Sequence, residues 1–147
     1  MAVSDKPRCR KASFALVALL VGACGTGTRR EAVLTSGEYG GEHVALSVGA
    51  SSARLEFDCA HGEIPSAIPL DPDGRFAVDG TFTQERGGPA TTLPEDVRPA
   101  RYVGSSQGRV VTFTIRLVRE GVAVGTFTAE RGSPPRIFRC LLVGPGA

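Results

Sequence analysis

Residues 53–59 read Ala-Arg-Leu-Glu-Phe-Asp-Cys, a strict alternation of apolar and charged side chains. Successive side chains of a β-strand point to opposite faces, so this stretch predicts a strand with one face in a core and the other in water. Val44, Leu46 and Val48 repeat the same period just upstream, and residues 49–52 (Gly-Ala-Ser-Ser) supply a turn between them. The segment therefore predicts an antiparallel hairpin.

The same period continues towards the C-terminus, with little helical periodicity. About eight short strands separated by turns predict an all-β domain, an antiparallel up-and-down meander. We expect a small closed barrel, lipocalin-like in architecture although no lipocalin motif is present, or alternatively a β-sandwich. Residues 87–99 contain three prolines and predict a loop. The further predicted strands are 63–70 (irregular, or at a sheet edge), 75–83, 100–104, 109–118, 122–130 and 136–142.

One motif of the domain occurs twice. Residues 80–87 (Gly-Thr-Phe-Thr-Gln-Glu-Arg-Gly) recur at 125–132 as Gly-Thr-Phe-Thr-Ala-Glu-Arg-Gly, with seven of eight positions identical. Two copies are too few for a solenoid or a propeller, which need more repeats to bury a continuous core. The repeat therefore favours two related strands in a pseudo-symmetric meander or barrel.

The first 23 residues have a different composition from the rest of the chain. Four basic residues precede a largely apolar run over residues 12–23. As a helix this run would span about 18 Å, well short of a hydrocarbon core of about 30 Å. We therefore predict that residues 1–23 are a secretory signal peptide and not a membrane span. The basic residues are Lys6, Arg8, Arg10 and Lys11.

The leader ends in residues 20–24, Leu-Val-Gly-Ala-Cys, which resemble the lipobox of bacterial lipoproteins. That resemblance implies that Cys24 receives lipid, that residues 24–37 form a lipidated tether to a membrane, and that residues 38–147 form a single β domain. Gly25 replaces the aspartate that retains some lipoproteins in the inner membrane, so the outer membrane is expected in a Gram-negative host. The alternative is an ordinary cleaved signal that happens to contain a cysteine.

The positions of the four cysteines agree with an exported lipoprotein. Cys9 lies in the leader and Cys24 in the lipobox, so Cys59 and Cys140 remain for the domain. In an exported protein two such cysteines predict a disulfide, here closing a loop of about 80 residues. A metal site using Cys59 with His61 is the alternative.

Composition and motifs narrow the function classes. After the leader the chain has 13 arginines, no lysine and 14 acidic residues. It shows no basic stripe or aromatic platform for nucleic acid, no Gly-x-Ser-x-Gly nucleophile motif and no phosphate loop. We therefore expect a monomer without enzyme activity, catalytic residues, resident metal or cofactor.

Two segments carry the candidate binding residues. Residues 38–43 (Glu-Tyr-Gly-Gly-Glu-His) and 57–62 (Phe-Asp-Cys-Ala-His-Gly) resemble a pattern in secreted bacterial proteins from which no activity can be transferred. The end of the sheet near residues 39–43 and the 87–99 loop are the expected interaction sites, because loops on rigid β scaffolds often carry function. The candidate binding residues are Tyr39, His43, Asp58 and His61.

The sequence thus favours a lipid-anchored lipoprotein of the cell envelope that binds an envelope protein or polysaccharide. The first alternative is a carrier that holds a small apolar ligand inside the barrel. The second is a metal-dependent enzyme using His43 and His61 with a carboxylate, since two histidines and one carboxylate form known zinc sites.

Overall fold

The structure is a computed structural model that describes residues 32–85 and 94–138. Within these ranges it contains strands and turns, and no helix long and apolar enough to cross a membrane. The predicted signal peptide, Cys24 and Cys140 lie outside the described residues.

Eight antiparallel strands form a closed barrel in the order β10-β2-β3-β4-β5-β7-β8-β9, and β1 pairs with β6 in a separate two-stranded sheet. Neighbours in the barrel are largely neighbours in sequence, as a meander requires. The predicted all-β fold, closed into a small barrel, is confirmed. The strands are β1 (Ala32–Val33), β2 (Gly37–Gly41), β3 (Val44–Val48), β4 (Ala53–Phe57), β5 (Ala60–Ile64), β6 (Pro69–Leu70), β7 (Arg75–Gln84), β8 (Val97–Gln107), β9 (Val110–Leu117) and β10 (Ala123–Arg131).

The alternating stretch lies in the barrel wall as the period predicts. Leu55 of β4 pairs with Leu46 of β3, and both are almost fully buried. The intervening Arg54 is exposed and donates a hydrogen bond to Glu63 of β5 at 2.8 Å. Period two therefore separates a buried face from a solvated one.

The barrel interior is packed with side chains, and Tyr102 of β8 is the largest that is fully buried. Its hydroxyl donates a hydrogen bond to the carbonyl oxygen of Thr81 at 2.6 Å, which satisfies the buried polar atom. The side chain packs against Gly62 of β5 and Gly80 of β7: a Cβ atom at Gly62 would overlap the tyrosine hydroxyl, and one at Gly80 would come within 3.0 Å of the ring. Two glycines thus make room for one large ring.

The two ends of the barrel differ. At the end where the chain enters β2, Leu34 and Ile68 are buried and joined by a backbone hydrogen bond of 2.9 Å. We call this the plugged end. The opposite end, which we call the mouth, carries the turn at residues 42–43, the turn at residues 58–59 and the β9–β10 turn.

Of the strand predicted at 136–142, residues 136–138 are described and form no continuous strand, and residues 139–142 lie outside the described residues. After β10, the chain passes over Gly40, where only a glycine leaves space for the backbone of residues 133–135. It then makes a single parallel bridge between Arg136 and Glu42. Pro134 and Pro135 explain the difference, because proline has no N–H to give to a ladder. We call residues 133–138 the strap.

Two other boundaries differ from the prediction. A tight turn at residues 58–59 ends β4 early and allows β5 to begin at Ala60, ahead of the strand predicted at 63–70, of which only residues 63–64 and 69–70 are in strands. Residues 97–99 belong to β8 and not to the loop. Pro99 is tolerated because it lies just beyond the part of β8 that pairs with β9.

Candidate functional site

A pocket of about 190 Å³ opens at the mouth of the barrel. Its floor consists of the rings of Phe57, Phe82 and Phe127. The centroid of Phe57 lies 4.8 Å from that of Phe127 and 5.9 Å from that of Phe82, both tilted, which is the favourable range for aromatic pairs. The rest of the lining comes from His43, Asp58, Cys59, Ala60, Gln84 and Val124. We call this the mouth pocket.

Each of the two copies of the repeated motif contributes one phenylalanine ring to this floor. Phe82 and Phe127 occupy the same position in the two copies, one near the end of β7 and the other at the middle of β10. Both rings contact the ring of Phe57. The sequence repeat thus supplies two of the three aromatic rings of the pocket.

His43 has an unusual backbone. It is the only residue other than glycine in the described ranges with a positive φ, 63°. A side chain in this left-handed region costs about 1–2 kcal/mol, so the surrounding contacts must hold it there. Its N–H donates to the carbonyl oxygen of Arg136 at 2.8 Å, and its Nδ1 lies 2.5 Å from Oδ2 of Asp58. Such local strain clusters at functional sites.

Asp58 connects the turn at residues 42–43 to the strap through its two carboxylate oxygens. Its Oδ1 accepts a hydrogen bond from the N–H of Phe138 at 2.9 Å, while its Oδ2 contacts His43. The Phe138 bond and then the contact with His43 hold the pKa of Asp58 below its ordinary value, although burial opposes them. With Asp58 ionised, the proton of a neutral His43 ring belongs on Nδ1, which leaves Nε2 as an acceptor.

Asp58→Ala is expected to loosen the strap. The substitution removes the acceptor for the Phe138 N–H and the partner of His43, so the Phe138 amide should exchange with deuterium severalfold faster. Hydrogen exchange by mass spectrometry on a peptide containing residues 133–138 measures this. Asp79→Ala is the matched control, because Asp79 pairs with Arg101 on the outside of the barrel. Equal exchange in the two variants would show that Asp58 does not hold the strap.

The same contact predicts a pH dependence. Because the pKa of Asp58 is lower in the folded protein, its contribution to stability is complete above the ordinary aspartate pKa of 3.8. That contribution declines as the pH falls further through the lowered value. The stability difference between wild type and Asp58→Ala should therefore shrink below pH 4.

The structure brings only His43 and Asp58 of the candidate residues together. Tyr39 is buried, and its hydroxyl donates to the carbonyl oxygen of Thr35 at 2.7 Å near the plugged end. Burial raises the pKa of Tyr39, which Arg131 lowers in part. His61 lies on the outer face of β5, where its Nδ1 is 3.2 Å from Oε1 of Glu85.

The geometry gives no support to a metal site. His43 and His61 each pair with a different carboxylate, and the described ranges contain no group of three or more His, Cys, Asp or Glu side chains placed to hold an ion. Cys59 lines the mouth pocket. Because Cys140 lies outside the described residues, the bridge between these cysteines stays a prediction.

Two larger clefts, of about 460 and 580 Å³, lie on the outer surface near the plugged end. One lies against β6 and the start of β7, and the other against the β3–β4 turn. Neither is floored by a cluster of aromatic rings, and neither contains the strained residue. The mouth pocket is therefore the better candidate site.

No family model, no curated protein and no solved structure matches this chain. The mouth pocket, the lipobox resemblance of residues 20–24 and the position of Ala32 are thus the basis for a functional hypothesis.

Proposed function

We propose that this protein is a lipid-anchored lipoprotein of the bacterial cell envelope whose barrel is a non-enzymatic binding module. The anchor part rests on the lipobox resemblance of residues 20–24, which implies lipid on Cys24. Stable anchoring needs more than one acyl chain, and lipoprotein maturation, as implied by the resemblance, supplies them. The binding part rests on the mouth pocket.

One observation carries the binding proposal. The barrel interior is filled by its own side chains, yet three aromatic rings meet an open pocket beside a strained histidine that Asp58 orients. Apolar pockets with a few fixed polar groups are typical of binding sites. This combination would be costly to maintain if the mouth served only to close the fold.

The position of Ala32, with which the described residues begin, supports the same assignment. Seven residues lie between Cys24 and Ala32, so even a fully extended tether, eight residue steps long, reaches only about 28 Å. The chain enters the barrel at the plugged end. A lipid on Cys24 would therefore keep the plugged end near the membrane and let the mouth face away from it, towards an envelope protein or polysaccharide.

The carrier alternative has less support. A carrier needs an internal cavity, and ligand pockets usually measure about 300–1,000 Å³. Here Tyr102, Leu55 and Ile115 lie fully buried inside the barrel, and the mouth pocket is smaller than that range. We therefore propose binding at the mouth and not inside the barrel.

The proposal predicts lipid labelling and a polarised contact surface in the same cells. With the full chain expressed in a bacterial host, palmitate should label the wild type and Cys9→Ala, and Cys24→Ala should lose the label. A photo-reactive residue at Val124, beside the mouth pocket, should give a defined envelope adduct, whereas one at Val33, at the plugged end, should not. Both valines are solvent-exposed, which makes them matched positions.

The two results separate the two parts of the proposal. Unchanged labelling of Cys24→Ala would reject the anchor. Equal adducts from Val124 and Val33, or none from Val124, would reject the mouth as the binding surface.

A further inference from the structure

We infer that the mouth pocket binds a single aromatic ring that carries a hydrogen-bond donor, in chemical terms a phenol. This inference deepens the proposed binding function and rests on it. The ring could belong to a tyrosine side chain of a partner or to a free phenolic compound, since both offer the same group.

The size of the pocket fits one ring. A cavity of about 150 Å³ lined by apolar side chains binds benzene, and the mouth pocket measures about 190 Å³. Phe57 and Phe82 are almost fully buried and do not move out to fill it without leaving the core. The remaining volume suits a six-membered ring with one small substituent.

The floor favours an aromatic occupant over an aliphatic one. Five rings form a continuous series of tilted contacts with centroid separations between 4.8 and 6.2 Å. A ring that enters the pocket extends this series and gains the edge-to-face contacts that aromatic pairs prefer. The series is Tyr102, Phe113, Phe127, Phe57 and Phe82.

The polar atoms of His43 and Glu42 at the edge of the mouth pocket explain why the ligand should carry a hydrogen-bond donor. Asp58 occupies Nδ1 of His43, so the acceptor Nε2 of the neutral ring is the nitrogen left for a ligand. Oε1 of Glu42 lies 3.9 Å from this Nε2 and adds a second acceptor at the same place. A phenolic hydroxyl can donate to either atom, whereas an unsubstituted ring leaves both to water.

The strained backbone of His43 is consistent with a role of its side chain in accepting a hydrogen bond from the ligand. Asn and Gly adopt a positive φ more readily than other residues, so a turn without a further function would favour one of them at this position. His43→Asn keeps the turn and removes the Nε2 acceptor. This variant therefore tests the ring nitrogen separately from the fold.

The test is a titration of the ¹⁵N-labelled full chain carrying Cys24→Ser, which avoids lipid and detergent. We expect p-cresol to shift the amide signals of Ala60, Gln84 and Val124 saturably, with Kd in the millimolar range that suits so small a ligand. Toluene, which has the same ring without the hydroxyl, should bind roughly tenfold more weakly. In His43→Asn the preference for p-cresol over toluene should fall, because only the Glu42 carboxylate remains as an acceptor at this place, and in His61→Asn it should stay unchanged.

N-acetyl-tyrosinamide distinguishes the two sources of the ring. If it binds as tightly as p-cresol, the ligand is a tyrosine side chain, and if only p-cresol binds, it is a free phenol. Equal affinity for toluene and p-cresol in the wild type, tighter binding of benzylammonium, or the absence of saturable shifts at the mouth would overturn the inference. Such a failure would leave the lipid labelling and the Val124 adduct unaffected, so the ligand class and the proposed function are judged separately.

Discussion

Replacing Tyr102 with alanine is expected to lower the free energy of unfolding by about 3–5 kcal/mol, the usual cost of removing a large buried aromatic side chain. Tyr102 is fully buried, contacts Phe113 and fills the space above two glycines. The two glycines have no side chain that could move into that space. Since small domains are stable by only about 5–15 kcal/mol, the variant should lose a large fraction of the total stability and denature at a clearly lower urea concentration. Urea denaturation followed by circular dichroism measures the change.

Two control variants separate the ring from its hydroxyl and from its strand. Tyr102→Phe keeps the ring and leaves the carbonyl oxygen of Thr81 without its tyrosine donor, so a smaller loss of about 1–3 kcal/mol is expected. Val103→Ala, the next residue on the outer face of β8, should change stability by less than about 0.5 kcal/mol. If Tyr102→Ala cost no more than Val103→Ala, the interior would not be packed as the structure shows.

The second large effect is expected from Cys59 and Cys140. A disulfide between them would close a loop of about 80 residues, for which the chain-entropy model gives roughly 4–5 kcal/mol. The strap supports this pairing, because the Phe138 N–H bonds to Asp58, the neighbour of Cys59, two residues before Cys140. The Cys59→Ser/Cys140→Ser variant should therefore denature at a much lower urea concentration than the wild type.

Mass spectrometry of the exported protein under non-reducing conditions identifies the linked peptides. Cys9→Ser is the control and should leave the denaturation curve unchanged, because Cys9 lies in the predicted leader. Free thiols at both Cys59 and Cys140 would reject the bridge, and so would a wild-type stability that does not respond to reductant.

The sequence predicted the fold well where period two was unbroken. The alternation from Ala53 to Phe57 places Leu55 inside and Arg54 outside, as the structure does. It failed at residues 58–59, where Asp58 and Cys59 continue the alternation but form a turn. Alternation records which face a side chain would take in a strand, and it does not record where the strand ends. Two-residue turns without glycine are hard to see for that reason.

The site was less predictable than the fold. Hydrophobicity alone assigns Phe57, Phe82 and Phe127 to a core, and only the strand register shows that all three lie at one open end. The positive φ of His43 has no sequence signal, because histidine is not a residue that such turns prefer. The strap could have been anticipated from Pro134 and Pro135, but its path over Gly40 depends on tertiary contacts.

The seam between β2 and β10 has a consequence for how the chain folds. It joins Gly41 to Ala129 and Tyr39 to Arg131, partners about 90 residues apart in sequence, through only three residue pairs. Contacts of such high sequence separation form slowly, because a long loop must lose its conformational entropy before they contribute. The barrel therefore cannot close until β10, near the end of the chain, has been synthesised and has crossed any membrane in its way. If the protein is exported, as we propose, this order keeps the chain open, and competent for translocation, until β10 has arrived.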